Sequence, residues 1–191
     1  ATRTALGTLV AVAVALVVFL QLRRPDYGVY PALRFWGLGT GFMAATVGLL
    51  AAGLRPLYRP DFSTATSWAI LAVPLAYCLL AGLLPAAHSA HPLSLGGIGP
   101  ELIPAAAGCF VGGSIFAIPV FAAAWFSRRS ATPFLFRTMF LAASAGILGN
   151  LGLHLHCPIV HTEHLLLGHA TVPLAYTAAA GALVYLLGDR G

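Results

Sequence analysis

Apolar residues occur along this chain in six long, continuous runs, separated by short segments rich in arginine, proline and glycine. Each run is close to the ~20 residues with which an α-helix crosses about 30 Å of hydrocarbon. The runs do not alternate between apolar and polar residues, so the pattern favours helices over the strands of an outer-membrane barrel. The predicted helices are residues 4–22, 31–54, 67–84, 101–126, 133–157 and 163–187.

Composition identifies the solvent of these helices. Hydrophobic residues make up 59% of the chain and charged residues only 8%, whereas a soluble domain has about 25% charged residues. So few charges cannot cover the surface of a globule in water, and lipid must cover most of it. We therefore predict an all-α polytopic membrane protein, in which residues 1–191 form a single domain of six transmembrane helices.

The arginines predict how the helices are oriented. With the amino terminus in the cytoplasm, seven of the ten arginines fall on the cytoplasmic side and three on the outer side. This distribution follows the positive-inside rule, although the first outer loop, with Arg23 and Arg24, is discordant. No small-residue cleavage site follows the first run, so we expect a helix there and not a signal peptide. We predict a multi-pass protein of the bacterial inner membrane with both termini in the cytoplasm.

Candidate chemistry is concentrated in residues 150–169, on the predicted periplasmic side. This segment carries five of the seven histidines, one of the three cysteines and one of the five acids. His154 and Cys157 share a helix face because three residues separate them, whereas His156 points elsewhere. His169 and Cys109 lie about 7 Å and about 12 Å below the outer ends of their helices, so these groups can converge. The candidate metal ligands are His154, His156, Cys157, His161, Glu163, His164 and His169.

Thiols and imidazoles beside an oxidising compartment suit two kinds of chemistry. A cysteine pair can form a disulfide or bind a soft metal, and a zinc-like ion takes four such ligands in a tetrahedron. Haem is a further candidate, because histidines on facing membrane helices can be its axial ligands. The order His161-Thr-Glu163-His164 does not match the H-E-x-x-H of metalloproteases, and we do not expect an enzyme. Each histidine taken singly is equally explained as an interfacial residue satisfied by water.

A longer pattern of residues resembles a known family. Its elements are Leu22-Arg-Arg-Pro-Asp-Tyr, Gly108-Cys109, Pro119, Ser127-Arg-Arg-Ser-Ala-Thr-Pro133, the small-residue segment 142–152 and Leu155-His156-Cys157. This pattern resembles the NrsF family of six-helix bacterial inner-membrane proteins. That family includes negative regulators of extracytoplasmic-function sigma factors and light-responsive CarR-like regulators of carotenoid genes. In helix count and loop placement the resemblance covers nearly the whole chain.

The resemblance implies an anti-sigma factor. An amino-terminal cytoplasmic arm would hold the sigma factor at the membrane, and metal or oxidant at the sensor thiols Cys109 and Cys157 would release it. The family's arm precedes the first helix, whereas this sequence starts at Ala1, directly before that helix. Gly168 and the additional histidines stand where relatives favour aromatic residues. The signal therefore stays open between a metal held by cysteine and histidine and an oxidant such as singlet oxygen.

The expected partners follow from these alternatives. An anti-sigma factor would contact the lipid bilayer and a sigma factor but no nucleic acid directly. Its predicted cytoplasmic partner surface consists of Arg55, Arg59, Arg128 and Arg129, of which the last two are also explained as a topological anchor. The alternative is a metal- or haem-binding subunit of a respiratory or photosynthetic complex, with other membrane subunits as partners. A small transporter is disfavoured, because matching broken helices do not occur in two halves of the chain.

Overall fold

A computed structural model describes Arg24, Asp26, Gly28 and residues 30–55, 60–84, 100–127 and 135–188, without the side chains of residues 119–127, 187 and 188. Every regular element within these ranges is a helix, which confirms the all-α prediction. The first predicted helix lies outside the described residues, as do Arg59, Arg128 and Arg129. The helices are α1 (Ala32–Gly53), α2 (Thr64–Leu83), α3 (Leu102–Ser127), α4 (Leu135–His156), α5 (Thr162–His164), the π-helix π1 (Leu165–Ala170) and α6 (Thr171–Gly188).

Local sequence accounts for several helix ends. The Ser63 hydroxyl accepts a hydrogen bond from the backbone N–H of Thr66 at 3.1 Å and so caps the first turn of α2. Helix α4 ends at His156, because Pro158 disfavours a helical conformation for the residue before it. Helix α5 is a single turn that continues without interruption through π1 into α6. Four stretches of the described chain are long and apolar enough to cross a membrane: Ala32–Gly53, Thr64–Leu83, Leu135–His156 and Thr162–Leu186.

Helix α4 lies at the centre of the bundle, between α1, α3 and α6. Its side chains are buried all round from Thr138 to His154, and many of them are small. A Cβ atom on Gly146 would lie 2.4 Å from the Cα of Pro173, and one on Gly149 would lie 2.3 Å from the carbonyl oxygen of Gly113. Glycine at these positions therefore lets α6 and α3 pack against the backbone of α4, as is common between helices in lipid.

The outside of the bundle is apolar. Large side chains point outward from α1, α2, α3 and α6, among them Leu33, Val73, Ile115 and Tyr185, and Leu33 is 89% exposed. A soluble protein rarely exposes apolar residues over such a continuous surface. Together with the lengths of the helices, this surface shows a chain suited to contact with a lipid bilayer.

Helix α1 runs opposite to both α2 and α4, which gives the bundle two distinct ends. At one end Arg34, in the first turn of α1, donates a hydrogen bond at 2.6 Å to the carbonyl of Leu84, just after α2. At the other end Arg137 of α4 donates to the carboxylate of Asp61 and to the carbonyl of Arg55. The guanidinium of Arg55, predicted as part of a partner surface, lies 4.2 Å from the ring centroid of Phe62. The histidine-rich segment lies at the first of these ends.

Candidate metal and thiol site

Two of the three cysteines meet at the end of the bundle that holds the histidine-rich segment. Cys109 lies two turns into α3, and Cys157 follows the last residue of α4. The Cys109 thiol donates a hydrogen bond to the sulfur of Cys157, and the two sulfur atoms are 3.5 Å apart. Cys157 is buried, Cys109 is half-buried, and neither forms a disulfide. The pair thus connects α3 to the α4–α5 connection through side chains that can react with each other.

Two imidazoles complete this cluster. Nε2 of His164 lies 3.4 Å from the sulfur of Cys157, and the ring of His169 meets the ring of His164 edge to face at a centroid distance of 5.3 Å. One ligand atom from each of Cys109, Cys157, His164 and His169 lies within 4.8 Å of all the others. We call these four residues the Cys2His2 cluster. Two thiols and two imidazoles match the ligand set of a tetrahedral zinc site.

The π-helix is what brings both histidines into the cluster. His164 and His169 are five residues apart, and in an α-helix five steps of about 100° would place them on different faces. Helix π1 begins directly after His164 and contains His169, and its wider turn returns the fifth residue toward the first. Pro173 lies four residues after His169, so it cannot donate to the His169 carbonyl, and its ring would clash with that carbonyl in regular α-helix. The proline therefore disfavours regular α-helix at this point.

Gly168 lets π1 approach α3 at the cluster. A Cβ atom here would lie 3.0 Å from the carbonyl oxygen of Ala106 and 3.2 Å from the Cβ of Cys109. Ordinary van der Waals contacts between carbon atoms are about 3.5–4.0 Å, so any larger residue would push the two helices apart. Glycine is thus required at this position, where the histidines approach Cys109.

Four of the predicted metal ligands do not join the Cys2His2 cluster. His154 faces α1 instead, where its Nε2 donates to the carbonyl of Phe35 at 2.9 Å and its ring stacks on the Phe35 ring. His156 is exposed at the end of α4. The imidazole of His161 pairs with the carboxylate of Glu163. The structure thus brings together three of the seven predicted ligands, because residues adjacent in sequence at a helix end project in different directions. The sequence-based prediction assigned Cys109 to the thiol pair only, whereas the structure places it among the candidate ligands.

A small cavity adjoins the cluster. Its volume is about 30 Å³, and Asn150, His154, Cys157 and His169 contribute to its lining. This is roughly the space of one water molecule and far too small for a porphyrin. The rings of His164 and His169 also touch each other, which leaves no gap in which a macrocycle would lie between them. These residues fit a metal ion and do not fit haem.

A buried ion pair, which the sequence reasoning did not identify, lies beside the cluster. Nε of Arg24 donates to the Asp26 carboxylate at 2.6 Å, and both side chains are almost fully buried. Nη1 of Arg24 donates to the carbonyl of His154, and its backbone N–H donates to the carbonyl of Leu155. Arg24, which follows the first predicted helix, is therefore hydrogen-bonded to the end of α4, two and three residues before Cys157.

Among protein-family models, curated proteins and solved structures, none matches this chain. The resemblance to the NrsF family therefore stays a hypothesis, and the geometry of the site is the main guide to function. That geometry consists of a close thiol pair, two buried imidazoles that touch it and a hydrogen-bonded link from Cys157's neighbours to Arg24.

Proposed function

We propose that this chain is an anti-sigma factor of the bacterial inner membrane. It would cross the membrane six times, with both termini in the cytoplasm, and hold an extracytoplasmic-function sigma factor until Cys109 and Cys157 meet an oxidant or a metal. The observation that carries the proposal is the 3.5 Å separation of the two sulfur atoms, one on α3 and the other on the residue directly after α4. The resemblance to the NrsF family supports the same function. Neither observation identifies the sigma factor.

The thiol chemistry of this proposal is a two-electron oxidation. The thiolate of Cys157 attacks a hydroperoxide, which leaves as an alcohol or water and converts the thiol to a sulfenic acid. The thiolate of Cys109 then attacks that sulfur and water leaves, so that one S–S bond replaces two S–H bonds. A disulfide is about 2.0 Å long. The sulfur atoms, 3.5 Å apart, must therefore move about 1.5 Å closer, which draws α3 toward the end of α4.

The contacts of Arg24 provide a route from this site toward the amino-terminal part of the chain. The carbonyls of His154 and Leu155, which hold Arg24, lie two or three residues before Cys157. A shift of Cys157 therefore acts directly on the hydrogen bonds of residue 24. A ligand changes the balance between two packings only if it binds one of them more tightly. A disulfide meets this condition, because the reduced packing holds the sulfur atoms too far apart for a covalent bond.

The test uses four strains of the bacterium that encodes the protein: wild type, a gene deletion, the double variant Cys109→Ser, Cys157→Ser and the single variant Cys78→Ser. Cys78 is a buried cysteine outside the cluster, so its variant is a matched control. Messenger RNA is sequenced before and after addition of cumene hydroperoxide or cadmium chloride. The deletion should raise transcripts of one sigma factor's promoters constitutively. Wild type and Cys78→Ser should raise them on induction, and the double variant should keep them low. A double variant that responds normally, or a deletion that changes no promoter set, contradicts the proposal.

The second candidate is a metal-binding subunit of a respiratory or photosynthetic membrane complex. The observation that favours it is the Cys2His2 cluster itself, because such a ligand set can hold a permanent ion. A subunit should copurify with fixed membrane partners in mild detergent, and its deletion should lower oxygen uptake or photosynthetic electron transfer without raising a sigma-dependent promoter set.

A further inference from the structure

We propose that Cys109, Cys157, His164 and His169 bind one thiophilic divalent cation, zinc or cadmium, in a tetrahedral site. For its physiological role this inference rests on the proposed function, since it names the ligand class of the same site. The new element is the part of His164 and His169, which makes the metal site a four-residue site on three helices. The other predicted histidines and the third cysteine have no part in it.

The distances already approach those of such a site. Zn–S bonds of about 2.3 Å and Zn–N bonds of about 2.05 Å give a tetrahedron with S···S edges of about 3.8 Å and S···N edges of about 3.6 Å. The corresponding distances are 3.5 Å between the sulfur atoms of Cys109 and Cys157 and 3.4 Å from Cys157 to Nε2 of His164. The largest separation within the cluster is at most 4.8 Å. No pair of ligand atoms therefore needs to close by more than about 1.5 Å to reach an ideal tetrahedral edge.

The unsatisfied atoms of the histidines also point to a ligand. Nδ1 of His164 and Nε2 of His169 are buried and have no hydrogen-bond partner among the described residues. A polar atom buried without a partner costs about 1–3 kcal/mol. His164 is completely buried and His169 is 5% exposed. Bulk water therefore does not relieve this cost. A cation bound through Nε2 of His169 would remove the cost at that ring, whereas His164, which faces Cys157 with Nε2, would keep its Nδ1 unpaired.

Charge selects a divalent cation. Binding converts two thiols to thiolates and releases two protons to water, while both imidazoles stay neutral. Two thiolates and a divalent cation then sum to zero charge, whereas a monovalent or trivalent ion would leave a net charge in a buried site. A net charge is expensive to bury in an apolar surrounding. No carboxylate belongs to the cluster within the described part of the chain, so a harder cation such as magnesium would lack its preferred oxygen ligands.

The test uses the full chain purified in detergent under reducing conditions. Wild type should bind about one zinc ion per chain and should give, with cobalt(II), the intense visible bands and the thiolate charge-transfer band of a tetrahedral site. Each of Cys109→Ser, Cys157→Ser, His164→Gln and His169→Gln should weaken binding by more than the roughly 10- to 100-fold that loss of a second-shell partner costs. Cys78→Ser and His156→Gln, outside the cluster, should bind as wild type does.

Alkylation of wild type gives a second measurement that does not depend on variants. Zinc should protect Cys109 and Cys157 from alkylation, as located by mass spectrometry, and should leave the reactivity of Cys78 unchanged. The inference is overturned if wild type gives no tetrahedral cobalt spectrum, if both histidine variants bind as tightly as wild type, or if zinc leaves both thiols reactive. The outcome for the proposed function is separate. Normal control of transcription by Cys109 and Cys157 without cation binding refutes this inference alone, and cation binding with a normally responding double-serine strain refutes the proposed function alone.

Discussion

At the scale of single residues, the contacts of Arg24 give a reason for an arginine on the side that the predicted topology places outside the cytoplasm. Its side chain is buried beside Asp26, it donates to the carbonyl of His154, and its guanidinium lies 4.0 Å from the ring centroid of Tyr30. The last carbonyls of a helix lack partners within the helix and carry a partial negative charge. Arg24 thus neutralises the end of α4, and its place is determined by packing and not by membrane topology.

This role predicts an asymmetric response to substitution. Arg24→Gln leaves the buried Asp26 without its cation and should lower the free energy of unfolding by about 3–5 kcal/mol. Addition of Asp26→Asn to Arg24→Gln should recover part of that loss, since no charge then stays unpaired. Unfolding is followed by circular dichroism in mixed micelles with increasing dodecyl sulfate. Arg34→Gln is the matched control, because the bond of Arg34 to the Leu84 carbonyl is exposed. Its loss should be only about 0.5–1.5 kcal/mol, and equal losses for Arg24→Gln and Arg34→Gln would contradict this role.

At the scale of elements, the cluster depends on the π-helix π1, which sequence periodicity could not predict. Continuous apolar runs predict the described helices, because hydrophobic length alone determines a spanning segment. A five-residue spacing of His164 and His169 predicts no common face in a regular helix. Only Pro173 gives a local signal, since it disfavours α-helix at His169. Likewise, the close approach of Gly168 to Ala106 and Cys109 could not be predicted from the sequence, because it depends on how π1 packs against α3.

The close approach of π1 to α3 predicts an effect of a single methyl group. Gly168→Ala places a Cβ 3.0 Å from the Ala106 carbonyl oxygen, so α3 and π1 must separate by several tenths of an ångström. We expect slower formation of the Cys109–Cys157 disulfide by hydroperoxide, about 10-fold, because the thiol pair spans the same contact. Gly108→Ala is the matched control, because nothing lies within 4 Å of its added Cβ. Thiol loss is measured with Ellman's reagent over time, and equal rates for both variants would show that the approach at Gly168 does not control the pair.

At the scale of the whole molecule, the outside of the bundle is apolar, and polar side chains lie at its two ends. Large apolar side chains cover the outside, while α4 is buried at the centre. The low content of charged residues predicts such an apolar outside. The Cys2His2 cluster lies at one end, and Arg137 with Asp61 lies at the other. A sensor needs this separation, since a signal at one end must change contacts at the other. Composition could predict the solvent, but it could not predict which histidines face inward, because that depends on the rotation of each helix about its axis.

The same two ends allow a direct test of the predicted topology. In a background with serine at all three cysteines, Glu163→Cys adds one thiol at the cluster end and Ala65→Cys adds one at the opposite end, in the first turn of α2. Both positions are at least partly exposed, and the Glu163 side chain is 41% exposed. A membrane-impermeant maleimide should label Glu163→Cys in intact spheroplasts, because positively charged loops stay in the cytoplasm and the cluster end faces the periplasm. It should label Ala65→Cys only after the membrane is permeabilised. The reverse pattern would place the cluster in the cytoplasm, where glutathione and thioredoxin keep thiols reduced, and a periplasmic oxidant could not be its signal. Labelling of both positions in intact spheroplasts would contradict a membrane-spanning α2 and with it the six-helix topology.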